Sequence, residues 1–157
     1  MFKGFEPVFD NNSRVLILGS FPSVKSREQG FYYGNKQNRF WKMLSQVFGE
    51  KFSDDIASKK QFLRLHNIAL YDVVVESDLT GSMDATLQKS THKMADFSFL
   101  FPPNTRIEKI LCNGKTAYNL FIENANPPVP VVCMPSTSAA NPRYNFEAWQ
   151  SELNFIK

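Results

Sequence analysis

Residues 14–41, RVLILGSFPSVKSREQGFYYGNKQNRFW, change character three times along their length. Residues 15–18, VLIL, are a short run of branched apolar side chains with no polar position, as in a strand buried on both faces of a sheet. Gly19 stops the run. Residues 20–23, SFPS, are small or rigid, a turn in which backbone N–H groups can point at an anion or a base edge. Gly30 and Gly34 then frame three consecutive aromatic rings, Phe31, Tyr32 and Tyr33. A core has no need of such a cluster in a glycine-framed loop, whereas a surface that stacks a flat ring does. Residues 38–41, NRFW, lead into a helix that places Phe40, Trp41, Leu44, Val47 and Phe48 on one face and stops at Gly49.

Outward from this stretch, strands and helices alternate. Residues 1–13 form an irregular lead-in whose Phe2, Phe5 and Phe9 cover an edge of the core. Ser53, followed by Asp54 and Asp55, is read as the N-cap of a helix ending near Leu65. Residues 68–75, IALYDVVV, are a second strand with Asp72 set inside it; a carboxylate at the end of a buried strand needs a reason. A polar loop over 76–87 and a short helix over 91–101 follow, the helix ended by Pro102 and Pro103. Residues 107–112 are a third strand, Asn113-Gly114 a turn, and 115–123 a helix. Residues 129–134 are a fourth strand, followed by the loop PSTSAANPR and a last helix with Phe146, Trp149 and Leu153 on one face.

This order predicts an α/β fold, one domain over 1–157, built as a three-layer sandwich: a central four-stranded, mainly parallel sheet with helices on both faces. Ligands of such folds bind beyond the carboxyl ends of the strands. All four strands here end in polar or conformationally special sequence, namely GSFPS, Asp72, Cys112-Asn113-Gly114 and MPSTSAANPR. That convergence predicts a single site.

Composition narrows the chemistry. A formal charge of +3 permits a nucleic-acid partner without requiring one. Cys112 and Cys133 form no CxxC pair and are expected as buried, reduced thiols, which removes support for an iron–sulfur or zinc site. The two histidines, His66 at a helix–strand junction and His92 among polar residues, read as structural or solvated. No metal and no cofactor are therefore expected. GxGxxG, GxxxxGK[ST] and GxSxG are all absent, so dinucleotide binding, P-loop phosphate transfer and α/β-hydrolase chemistry lose their usual supports. No apolar run is long enough for secretion or a bilayer, which predicts a cytoplasmic protein with no membrane partner.

GSFPSVKSREQGFYYGNKQNRFW resembles the first motif of the uracil-DNA glycosylase superfamily, in its hypoxanthine-DNA (deoxyinosine) glycosylase branch, and MPSTSAANPR resembles the second. NIALYDV, GSMD and CNGKTAY fall where that branch has them, so the likeness covers nearly the whole chain. It implies a monofunctional DNA glycosylase of base excision repair, a monomer acting on damaged DNA. Such an enzyme flips out hypoxanthine, and uracil or xanthine besides, and hydrolyses the glycosidic bond. No lysine aligns with a Schiff-base role, so hydrolysis without β-elimination is implied. A DNA-binding module that has lost its chemistry, or a nucleoside hydrolase, are the competing readings.

The resemblance also implies roles. Tyr33 aligns with the aromatic that covers the flipped base, and Ser20 and Phe21 belong to the turn that meets the base. Phe21 stands where other branches carry an Asp or Asn, which moves the water-placing role to Asn38, with Asn35 its neighbour; an amide carbonyl can orient a water, or the residue can cap the helix. Asp72 aligns with an asparagine that reads the base edge, and either accepts from N–H groups of the base, donates when protonated by burial, or is satisfied by backbone. Met134 replaces a histidine, leaving electrophilic help to backbone N–H groups or Asn113. Ser136, Thr137 and Ser138 resemble the loop that pinches phosphates, and Ala140 or Asn141 occupies the gap left by the base. Ser23, Lys25, Arg143 and, beside them, Lys36, Arg39 and Lys115 are candidate DNA contacts.

Overall fold

A computed structural model describes residues 2–77, 92–98 and 105–157. Four strands pair in parallel: β2 (Val15–Gly19) lies between β3 (Ile68–Asp72) and β6 (Lys109–Asn113), and β7 (Val131–Met134) flanks β6. The strand at Val15–Gly19 is buried at every position, as its uninterrupted apolar run requires. Val15 and Ile17 face one core with Ile68, Leu70 and Leu111; Leu16 and Leu18 face another with Ala69, Ile110 and Cys112. Period-2 alternation between two apolar layers is the physical content of the sandwich.

Helices α1 (Val24–Gln29), α2 (Phe40–Phe48), α3 (Ile56–Leu65), α4 (Lys115–Asn124) and α5 (Phe146–Leu153) complete the order. The faces of α2, α3 and α5 carrying Phe40, Leu44, Phe62, Leu63, Trp149 and Leu153 build the first layer. Gly49 ends α2 in the left-handed conformation, φ 62°, its N–H on the Ser45 carbonyl. On the second face α4 supplies Ala117, Leu120 and Phe121. Phe5 and Phe9 pack on the two layers, one each.

Four local expectations are corrected. Residues 68–75 are not one strand: after Asp72 the N–H groups of Val73 and Val74 donate to the carbonyls of Gly19 and Ser20, drawing the chain out of the main sheet. It continues as β4 (Val74–Ser77), between β1 (Phe2–Lys3) and β5 (His92–Met94) in a second, antiparallel sheet. The helix expected over 91–101 is therefore replaced, at His92–Met94, by a strand, because edge pairing with β4 supplies hydrogen bonds that a short polar segment cannot make alone. The N-cap of α3 is Asp55 rather than Ser53: its carboxylate accepts from Ser58 N at 2.7 Å and Ser58 Oγ at 2.9 Å. Cys133 is exposed on edge strand β7, opposite buried Cys112, whose thiol burial pushes up to about 12. The loop expected over 76–87 lies, beyond Ser77, outside the described residues.

His66 is structural, its ring tilted over Phe48 and Phe62 and its Nε2 2.7 Å from Glu50 Oε2. The two tryptophans do more than fill volume. Trp41 Nε1 donates to the Tyr32 carbonyl at 3.0 Å and Trp149 Nε1 to the Pro135 carbonyl at 2.8 Å. Each indole pins the backbone of a loop at the carboxyl end of the sheet. Trp149→Phe keeps the ring but deletes the donor and part of the volume at a fully buried position; a loss of about 2 kcal/mol in urea unfolding is expected, and a loss near zero would show that the loop holds itself.

Candidate active site

In the strand order β3-β2-β6-β7 the chain leaves β2 in both directions, so the crevice opens at the carboxyl end of β2. Gly19 stands there, in register with Asp72. A Cβ on Gly19 would lie 2.5 Å from Asp72 Oδ1 and 2.9 Å from the Tyr33 hydroxyl, so only glycine lets the two oxygens converge. The Tyr33 hydroxyl and Asp72 Oδ2 are both buried without a hydrogen-bond partner among the described residues. Burial pushes the Asp72 carboxyl up to about 7, and burial, then the Asp72 charge, raises the Tyr33 phenol. Two buried, unpaired oxygen groups on one cavity wall ask for an external partner.

The cavity that Tyr33 and Asp72 line has a volume of about 550 Å³ and is bounded by the turn after β2, the aromatic loop, Asp72, Asn113 and residues 136–140. Tyr33 forms part of its wall. Its backbone is held at φ 53°, a costly conformation for an aromatic residue, and its ring stacks on Phe40 with centroids 4.0 Å apart at 22°. One face is thus spent on Phe40 and the ring is only partly buried. The loop behind it is tied to α1: Ser23 caps that helix, its Oγ accepting from Ser26 N at 3.1 Å, and Ser26 Oγ accepts from Gly34 N at 3.0 Å. A Cβ on Gly34 would sit 2.7 Å from Gln29 Cβ, so the close approach depends on that glycine. Phe31 and Tyr32 pack in the core instead, so the glycine-framed cluster is not a stacking surface as a whole.

Across the cavity a polar chain joins the two motif loops. Asn113 Nδ2 donates to Thr137 Oγ1 at 3.0 Å while Asn113 Oδ1 accepts from Thr137 N at 3.0 Å. Thr137 Oγ1 donates to Asn38 Oδ1 at 2.8 Å, and Phe40 N donates to the same oxygen at 2.9 Å. The Asn38 carbonyl is therefore already saturated by the Phe40 helix start and by Thr137. A water cannot take the place expected for it there; Asn38 presents its Nδ2 hydrogens instead. Asn113 lies near enough to the Tyr33 hydroxyl to favour its ionised form, without an aligned hydrogen bond.

Ser20, Phe21, Ser23, Tyr33, Asn38, Asp72, Asn113, Ser136, Thr137 and Ser138 all line this one cavity. Phe21 is also core, with the Arg27 guanidinium 5.5 Å from its ring centre. One expected DNA contact, Thr137, is corrected, and Asn141 and Arg39 carry internal bonds. Thr137 is 0% exposed, its N–H and hydroxyl committed to Asn113 and Asn38. Asn141 closes the loop internally, Nδ2 on the Ser136 carbonyl at 2.9 Å and Oδ1 accepting from Arg143 N. Arg39 places Nη1 on the Ser138 and Asn141 carbonyls and its guanidinium 4.8 Å from the Tyr144 ring centre. Lys25 and Arg143 are exposed and stand outside the cavity wall. Ala139 and Ala140 form the loop's exposed tip. Sequence reasoning missed Gly19, Ser26 and Gln37; only the glycine ending a buried strand was a usable signal.

Among the described residues no group of three His, Cys, Asp or Glu is placed to hold a metal, and no helix is long and apolar enough to cross a membrane.

The model of the uracil DNA glycosylase superfamily matches residues 6–154. A hypoxanthine DNA glycosylase of Methanosarcina acetivorans is 34% identical over 146 residues, covering 91% of this chain and 90% of the relative. Another hypoxanthine DNA glycosylase, of Methanosarcina barkeri, is 32% identical over 114 residues, 72% of this chain and 71% of the relative. The solution NMR structure of a Methanosarcina acetivorans protein assigned to the uracil DNA glycosylases superposes with a TM-score of 0.79 at 31% identity, covering 98% of this chain and 97% of that one.

Asp72 gives the site a pH signature. Between its ordinary value of 3.8 and about 7 the folded chain keeps a proton that the unfolded chain has released. Its contribution to stability therefore falls as pH rises through that window, by up to about 4 kcal/mol. Asp72→Asn removes the titration, so the variant is expected to gain stability over the parent from pH 4 to 7 and to hold a constant advantage above. A difference in urea-unfolding free energy that stays flat with pH would mean an ordinary carboxyl.

Proposed function

Because the chain belongs to the uracil DNA glycosylase superfamily, we propose that its cavity receives a deaminated base flipped from duplex DNA and that the chain hydrolyses that nucleotide's N-glycosidic bond. Hypoxanthine is the leading substrate, with uracil and xanthine beside it, in base excision repair. The observation that carries this reading is the partly exposed Tyr33 ring, backed by Phe40, beside the two unpaired buried oxygens of Tyr33 and Asp72. A ring platform with polar groups at its edge suits a flat heterocycle bearing N–H and C=O groups. The hypoxanthine DNA glycosylases of the two Methanosarcina species support the choice of base.

Extrusion costs a few kcal/mol, least for a poorly paired base, so hypoxanthine and uracil in mismatches are favoured before the cavity reads them. In the hydrolysis a water oxygen bonds to C1′ of the sugar and releases a proton to solvent, while the C1′–N bond breaks with its electron pair going to the base, which takes up a proton in turn. Asp72, kept protonated by burial up to about pH 7, donates to an acceptor on the base edge. Asn38 holds the water by donating from Nδ2 to its oxygen, leaving the other lone pair for a sugar of oxocarbenium character. An amide supplies position here, not basicity. Among the described residues that line the cavity there is no lysine, which supports hydrolysis to an abasic site without strand cleavage.

A labelled duplex carrying one deoxyinosine, treated with protein and then alkali, should be cut at the lesion, with uracil and xanthine duplexes cut beside it. Asn38→Ala is expected to lower the single-turnover rate at least about 100-fold. The parent's rate should fall above about pH 7, whereas Asp72→Asn, which donates at every pH, should lose that fall. Binding to these duplexes with no cleavage of any would leave a DNA-binding module; a rate that rises through pH 7 would make ionised Asp72 the working form.

A further inference from the structure

We propose that Thr137 is a positioning residue for this reaction: its buried hydroxyl, bridging Asn113 and Asn38, sets which end of the Asn38 amide faces the substrate. The inference rests on the reading of Asn38 given above and extends it to a side chain that touches neither base nor sugar.

The argument is one of donors and acceptors. Two backbone N–H groups, which can only donate, anchor the chain of bonds. Thr137 N–H must end on an acceptor, so Asn113 turns Oδ1 toward it and Nδ2 toward the Thr137 hydroxyl. An amide nitrogen cannot accept, so Thr137 Oγ1 accepts from Asn113 and its single hydrogen is left for Asn38 Oδ1. At the far end Phe40 N–H demands the same Asn38 oxygen. Reversing the Asn38 amide would set its NH₂ against both the Phe40 N–H and the Thr137 O–H. The backbone thus dictates the polarity of every bond between Asn113 and Asn38, and the hydroxyl of Thr137 is the link that carries it across the cavity. Without that hydroxyl Asn38 keeps one anchor of two, and its amide gains the freedom to rotate.

The backbone around Thr137 is held independently of this hydroxyl. Arg39 N–H donates to the Thr137 carbonyl at 3.0 Å, Arg39 Nη1 to the Ser138 and Asn141 carbonyls, and Trp149 to the Pro135 carbonyl. Removing the hydroxyl alone should therefore leave the loop in place.

The test uses the full chain and a deoxyinosine duplex under single turnover. Thr137→Val, nearly isosteric but without the hydroxyl, is expected to slow cleavage about 10- to 100-fold, with affinity for the duplex changed less than about 3-fold. Thr137→Ser, which keeps the hydroxyl, should stay within about 3-fold of the parent. In the Asn38→Ala background Thr137→Val should cost nothing further, because it acts through Asn38. Circular dichroism of each variant confirms the fold. Thr137→Val cleaving at the parental rate, Thr137→Ser failing as badly as Thr137→Val, or a full additional loss in the Asn38→Ala background would each overturn the proposal. Should Asn38→Ala itself cleave normally, it is the reading of Asn38 that fails; a slow Asn38→Ala beside a normal Thr137→Val rejects only the role of Thr137.

Discussion

The missing side chain at Gly19 is the constraint on which the site depends. The middle strand of a parallel sheet ends there, and the register that buries Val15–Gly19 also sets Asp72 directly alongside. Any Cβ would occupy the space where the Asp72 carboxylate and the Tyr33 hydroxyl meet. The converging oxygens are left buried and unpaired beside the cavity, and the same burial pushes the Asp72 carboxyl up to about 7. Strand pairing, an energetic matter of backbone hydrogen bonds, thereby becomes a statement about which protonation state a ligand encounters.

Around that point the molecule spends its polar groups on rigidity. Two indoles hold loop carbonyls, one arginine holds two more, and Ser26 of α1 binds the aromatic loop. The left-handed Tyr33 is affordable only because Phe40, Gly34 and Ser26 fix its surroundings. Among the described residues that wall carries neither histidine nor lysine, which leaves it little strong acid–base chemistry to offer. What it can offer is placement: a stacked ring, an oriented amide and one proton held on a buried carboxyl.

The polar groups near the loops divide into those that face a ligand and those that make the loops hold still. Asn38 belongs to both sets, capping α2 and lining the cavity with the same amide. Thr137, Asn141 and Arg39 belong to the second. The positive charge left for a phosphate backbone is on exposed residues such as Lys25 and Arg143, consistent with a modest net charge of +3.

Much of this was legible without coordinates. Uninterrupted apolar runs ending in glycine or polar turns determined the parallel sheet and the end of it at which the site lies, because a strand buried on both faces tolerates no polar position and ligands collect where such strands stop. The glycine-framed aromatics and the two motif loops likewise marked the residues of one cavity. Tertiary structure alone decided how those residues divide their bonds. That the chain turns aside after Asp72, that a polar segment at His92–Met94 becomes a strand, and that Thr137 faces inward all depend on partners distant in sequence. A side chain's type limits what it can donate or accept, but which of those bonds are already taken is settled only when the loops are packed together.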